Sequence, residues 1–477
     1  MLTEAKVPSW PCALLLLFCG CRSTETARIE APTPSVSHGT ADAGVPPNPQ
    51  ADVASAPEIE LISAEAISEN SSSTTSLAQC ISLSLSQNPD LIAIRQNDSV
   101  GSAALGVAQT YPFNPSVQVQ VTPWQDAKIG GPGSTSHYVL LMQTIQLAHQ
   151  QQFREEGAAS ALNSIRWNIH QAELLNVAQT ERLYFNMLYM RGIHELAQAS
   201  HDNNQRLLRT LEKQLEAGQA SAADVAIVRV DARSTQQQMR LAKANHETAL
   251  RDLKRHMGMS PDTPFPLDGD LKSLPWKKPS WGLENDSVAS DITGRALSRP
   301  DVMAAQADVD AARAGMCLAH AGRTPDLQVG PYYQRGADGT TFLGLRAQMD
   351  LPILNSGQPL EQQRIAELNQ RVTAWQQLQR RAGLEAEAAW ERYAQALTAF
   401  TEDTTDIGPA NLPQELQSLE QRFLEGEVDV VRVVQARTSL IQNQRAHLDL
   451  LNELAQSAAN LTAATGISLE ELWNVLE

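Results

Sequence analysis

Few side chains in this sequence are spaced for chemistry. Its ten histidines are scattered. It has no His-Glu-x-x-His metal pair, no Gly-x-x-x-x-Gly-Lys phosphate cradle, no Gly-x-Ser-x-Gly elbow and no Cys-x-x-Cys pair. His194 and His201 fall on one predicted helix and could share a face, but they read as a solvated pair rather than a metal site. Met187 with Met190, and Met257 with Met259, invite a soft-metal reading for copper or silver. Packing in a core or helix seam is the better account of methionine at that spacing. No catalytic, cofactor or metal site is therefore expected, and the chain is not read as an enzyme.

Covalent chemistry is expected in one place only, the N-terminus. Lys6 precedes an apolar stretch from Ala13 to Phe18 that ends in Cys19-Gly20-Cys21. This has the layout of a secretory signal. Leu17-Phe18-Cys19-Gly20-Cys21 resembles a bacterial lipobox, in which a small residue precedes a cysteine that receives lipid. Cys21 is then the lipidation site and the mature first residue. Arg22 is not the aspartate that holds such lipoproteins at the inner membrane, so sorting to the outer membrane is expected. Cys80 and Cys317 remain, far apart in sequence, and read as free thiols.

The bulk of the chain must supply a frame rather than a pocket. Aromatics make up only 5% of its 477 residues, and Ala, Gln, Leu, Glu and Arg recur in long stretches without Gly or Pro, which favours extended helices. A formal charge of −17 leaves no basic footprint for nucleic acid. No run of about 18 apolar residues occurs beyond the N-terminus, so no transmembrane helix is expected there. A β-barrel is not excluded by this, because its strands carry a far weaker signal.

Residues 22–76 are rich in Ala, Pro, Ser, Thr and Glu, a composition that buries too little apolar surface to offset the entropy of ordering; a disordered tether is expected. Beyond it, one pattern is written twice. Asn88-Pro89-Asp90-Leu91 returns as Arg299-Pro300-Asp301-Val302, and Asn114-Pro115-Ser116-Val117-Gln118-Val119 as Thr324-Pro325-Asp326-Leu327-Gln328-Val329. Gly218 returns as Gly426, and Leu253 to Gly258 as Leu461 to Gly466. All four landmarks recur in order, about 210 residues apart. A tandem duplication follows.

Each half begins with a predicted helix, Leu77–Thr110 in one and Ile292–Ala321 in the other, ending at a proline. The period then drops to two. Val117, Val119 and Val121 alternate with Gln118, Gln120 and Thr122, and after a turn His137–Leu147 forms a second strand. The other half has Pro325–Gln334 and Thr341–Leu351. Strands of about ten residues cross a bilayer when tilted. Tyr111, Trp124, Tyr138, Tyr332 and Tyr333 fall at or near the predicted strand ends, where amphipathic rings favour lipid headgroups. If the polar face lines a lumen, the valines point outward.

Next comes a stretch from Phe153 to Leu215 without proline, about 90 Å of helix at about 1.5 Å per residue. Gly218 turns the chain, Ser221 and Asp224 carry N-terminal capping chemistry, and a second helix runs from Ala222 to Met257. The apolar seam is narrow: Leu250, Leu253 and Met257 in the first half, and Leu448, Leu451, Ala455 and Ala458 in the second. Gly408 and Pro409 should interrupt the second copy between Thr401 and Pro413, with a small side structure there.

This order of elements, twice over, resembles the outer-membrane efflux proteins of the TolC family. The matching segments are Asn88-Pro89-Asp90-Leu91 and its echo, the turn Gly218-Gln219-Ala220-Ser221-Ala222-Ala223-Asp224-Val225, and the junction Asp350-Leu351-Pro352-Ile353. The resemblance covers Leu77 to Gly466 and is closest to the lipoprotein branch that serves drug and heavy-metal pumps. It implies an α+β membrane protein, a homotrimer. A twelve-stranded transmembrane β-barrel, four strands per protomer, would stand on a long antiparallel α-helical barrel in the periplasm. The expected divisions are 1–21 signal, 22–76 linker, 77–270 first repeat, 271–291 inter-repeat linker and 292–477 second repeat. The implied partners are outer-membrane lipid, a periplasmic adaptor and an inner-membrane pump, with small molecules or metal ions as cargo. By the same resemblance Gly218, Ser221, Asp224 and Gly426 lie at the hairpin tips that meet the adaptor. Glu425, Glu427 and Asp429 are candidates for an acidic ring at the tunnel mouth. The competing reading is a periplasmic coiled-coil scaffold without a pore, which has no use for four alternating strands.

Overall fold

In a computed structural model the described residues are 75–125, 134–266, 269–271, 274, 276, 288–406, 418–419, 421–423 and 427–469. The expected signal, Cys21 and most of both linkers lie outside them, as do Glu425 and Gly426. Of the stretch Thr401–Pro413, where an interruption and a side structure were expected, residues 407–413 are outside as well, while the helix before it continues to Asp406.

The first half opens with α1 (Leu77–Gln87), α2 (Pro89–Arg95) and α3 (Asn97–Gln109), three helices where the sequence suggested one. The reason is local. Pro89 pushes the residue before it out of the helical region, and Asn88 sits there with ψ 120°. Its side-chain oxygen accepts from Leu91 N at 2.9 Å, capping α2, while its amide nitrogen donates to His256 O at 2.7 Å. In the second half the predicted helix divides likewise into α6 (Val288–Leu297) and α7 (Pro300–Ala321), with the break just before Pro300.

The long helices form as expected. α4 (Gln150–Glu216) runs 67 residues without a break, about 100 Å at about 1.5 Å per residue. Gly218, at φ +71°, reverses the chain into α5 (Ala222–His256). The second half has α8 (Gln358–Asp406) and α9 (Val430–Thr465). On α5 the buried residues Val225, Val228, Ala232, Thr235, Ala242, Ala249 and Leu253 recur at threes, fours and sevens, a narrow seam that widens only at its end, where Lys254 is buried too. α4 is the spine. It packs against α3 and α7 near its start, α1 and α9 in its middle, and α5 beyond. The principal core lies in that middle zone, where Phe185 and Leu188 of α4 meet Leu253 of α5, Tyr393 of α8 and Leu451 and Leu454 of α9. Met187 and Met257 are buried in it, so their role is packing.

Strands β1 (Ser116–Gln125), β2 (Ser134–Ile145), β3 (Leu327–Arg335) and β4 (Thr341–Met349) form one antiparallel sheet in sequence order, their ends within a few residues of those expected. β1 and β4 are its edges, without a further strand partner among the described residues. The β1–β2 register shifts between Thr122 and Gln125, around Pro123, which has no N–H for the ladder.

Candidate functional site

Register assigns each residue of the sheet to a face. Val119, Val139, Tyr333 and Leu343 lie in one row across the four strands; Gln118, Leu140, Tyr332 and Gly344 form the next row, on the opposite face. The first face is apolar and uncovered, with Val117, Val119 and Val121 at 64%, 61% and 53% exposure and Leu343 and Leu345 near 80%. The second carries Gln118, Gln120, Tyr138, Gln334 and Arg346 around a groove of about 410 Å³. Two expected headgroup aromatics are thereby corrected. Tyr138 and Tyr332 lie within the sheet on the polar face, their ring centroids 6.0 Å apart, because the pairing of β2 with β3 makes them diagonal neighbours. Tyr111 instead fastens the helical end of the sheet: its hydroxyl donates to Thr144 O at 2.9 Å and accepts from Gln146 N at 3.1 Å.

At the far end the two hairpin tips pack together. Leu207 and Leu211 of α4, Val225 and Val228 of α5 and Val430 of α9 form one buried cluster. No atom lies within 4 Å of a Cβ built on Gly218, which thus faces open space. Ser221 caps α5, its hydroxyl accepting from Ala223 N at 3.1 Å, and Asp224 sits half-buried in the first turn. On the second tip Asp429 is the exposed residue preceding α9, and Glu427 is paired with Arg422 at 3.0 Å. The structure thus brings Ser221, Asp224 and Asp429 to one end of the helical body.

Behind the tips lies a polar link the sequence did not disclose. Arg437 of α9 is buried and donates to Asn203 O and Asn204 Oδ1 of α4, and Asn204 Nδ2 donates to Asp231 of α5 at 2.6 Å. Burial raises the Asp231 carboxyl, opposed by Asn204 and the Arg437 charge. Further along, Glu181 of α4 is 1% exposed, with Oε2 unpartnered among the described residues. Burial pushes it up to about 8 against the opposing influence of Thr462 and Arg182. His194 does not pair with His201; its ring stacks on His246 of α5 at 6.0 Å. Among the described residues no group of three or more His, Cys, Asp or Glu could hold a metal ion.

A sheet apolar on one face and polar on the other, with both edges open among the described residues and joined to a helix about 100 Å long, fits a channel protein of the outer membrane rather than a globular enzyme. The sequence matches the outer membrane efflux protein family over residues 80–259 and 295–467, and the chain belongs to that family. It is 25% identical over 333 residues to the pyoverdine export outer membrane protein OpmQ of Pseudomonas aeruginosa, a match spanning 66% of each chain, just short of two thirds of that relative. Its fold is similar to that of CusC (TM-score 0.67, 19% identity, 82% of this chain and 92% of that one). It is also similar to the Campylobacter jejuni CmeC outer membrane channel (TM-score 0.64, 15% identity, 82% and 85%). These relatives are channels and efflux proteins, not enzymes.

Proposed function

We propose that this chain is the outer-membrane duct of a tripartite efflux system, passing small molecules or metal ions from a periplasmic adaptor and inner-membrane pump to the exterior. Two tandem repeats supply four strands, and three protomers close a twelve-stranded barrel above a helical tunnel. The observation that carries this reading is the sheet: among the described residues β1 and β4 end it with unpaired edges, and its valine and leucine face is uncovered. Neither is tolerable in lipid unless neighbouring copies pair the edges. Ile227, Val230 and Leu241 are likewise exposed on α5, away from its buried seam, as faces for a neighbouring protomer. The tips around Gly218, Ser221, Asp224 and Gly426 would meet the adaptor.

A charge on the lipid face of a strand costs about 2–4 kcal/mol near the bilayer midplane. Val119→Arg should therefore lower trimer recovery from membranes, whereas Gln120→Arg, on the lumen face, should be tolerated. Equal tolerance of both would remove the lipid-facing strand and the duct with it. Lipid at Cys21 would add an anchor. Cys21→Ala should abolish labelling with a fatty-acid analogue while barrels still insert, because strands rather than acyl chains hold the body; retained label would assign the lipid elsewhere.

A further inference from the structure

The four strands contain no aspartate or glutamate, in a chain whose net charge is −17. Their only Lys or Arg residues are Arg335, the last residue of β3, and Arg346, inside β4. Arg346 pairs across the ladder with Gly330 and so shares the face of Gln118 and Gln120; its neighbour Leu345 lies on the other, apolar face. Glycines let its neighbours close in around it. The Leu141 carbonyl fills the place of a side chain on Gly330, directly opposite, and the Tyr332 ring that of one on Gly344, two residues earlier on the same face, 2.6 Å from an added Cβ. The guanidinium touches only neutral groups, Tyr138 Oη at 3.4 Å and Gln348 Oε1 at 3.3 Å, and forms no ion pair among the described residues. It is exposed and borders the polar groove.

A planar guanidinium without a counter-ion is a ready fork for carboxylates, and repetition around a narrow aqueous lumen adds the fields of several copies. We propose that Arg346, repeated by the three protomers, forms a cationic ring inside the barrel that favours anions, carboxylate-bearing small molecules above all, over cations. The amide groups of Gln118, Gln120 and Gln334 add neutral hydrogen-bonding sites to the same wall. The proposal rests on the trimeric duct reading, since only closure makes this face a lumen.

The test is the reversal potential of reconstituted wild-type, Arg346→Gln and Arg346→Lys channels in a potassium chloride gradient, repeated with benzoate replacing chloride. Arg346→Gln should lower the anion-to-cation permeability ratio several-fold, more for benzoate than for chloride. Arg346→Lys should keep the chloride ratio and lose part of the benzoate preference, since an ammonium lacks the fork. An unchanged ratio in Arg346→Gln trimers would overturn the ring while leaving the duct standing; wild-type trimers without conductance would overturn both. Should Arg346→Gln not assemble, wild-type channels decide: benzene hexacarboxylate added from the barrel side should block the current, and absence of block would overturn the ring.

Discussion

Glu181 shows what a single buried group does to a helix that long. It has 1% exposure, adjoins Arg182, which donates to Asn460 of α9, and carries an oxygen unpartnered among the described residues. Taking such a charge out of water without full hydrogen bonding is costly, which is why burial favours its protonated form, up to about 8. A carboxyl whose folded value lies above its ordinary value of 4.5 binds protons more readily folded than unfolded. Its contribution is thus fullest below pH 4.5 and lost as pH rises through about 8. Glu181→Gln imitates the protonated state. The substitution should leave the melting temperature nearly unchanged at pH 4.5 and raise it above wild type by pH 8.5. Parallel melting curves at both pH values would show that the buried carboxylate is solvated or paired in the assembled protein.

Among the elements, what could be read from the sequence depended on how local the cause was. The strand alternation at Val117 to Thr122, the 67-residue α4 and the Gly218 reversal all follow from side-chain period and glycine placement, and each stands where expected. The breaks at Asn88 and before Pro300 were also written in the sequence, as residues preceding proline, but the run of helix formers around them concealed the stop. The break at Gln96 has no such sign: no side chain caps α3 there. Longer-range features were invisible. Tyr138 and Tyr332 belong to different halves, and nothing short of the β2–β3 pairing reveals that both rings lie on the glutamine face. The Arg437–Asn204–Asp231 link needs three helices in register. Arg346 is an ordinary strand arginine until the other strands are seen to lack any carboxylate.

For the whole molecule, charge is sorted along the length. The strands hold arginine and no acid, so the carboxylates that make the chain net −17 lie elsewhere, and a trimer would carry opposite fields at its barrel and its periplasmic mouth. Threefold repetition of any inward-facing acid at the mouth would form a ring that attracts cations. The three candidates are not equivalent. Glu427 already has a guanidinium partner in Arg422 at 3.0 Å, which damps its field, and Asp429 stands exposed at the start of α9, beside the cluster that joins the two tips. Glu425→Gln, Glu427→Gln and Asp429→Asn, each recorded as single trimers in a salt gradient, should therefore move selectivity toward anions unequally. The expected order is Asp429→Asn foremost and Glu427→Gln least. These shifts run opposite to that of Arg346→Gln, so the rings can be scored separately in one apparatus, and combining Asp429→Asn with Arg346→Gln should bring the ratio back toward wild type. Unchanged selectivity in all three acidic variants would mean that these groups are solvated outside the aperture and that the mouth is held by other residues.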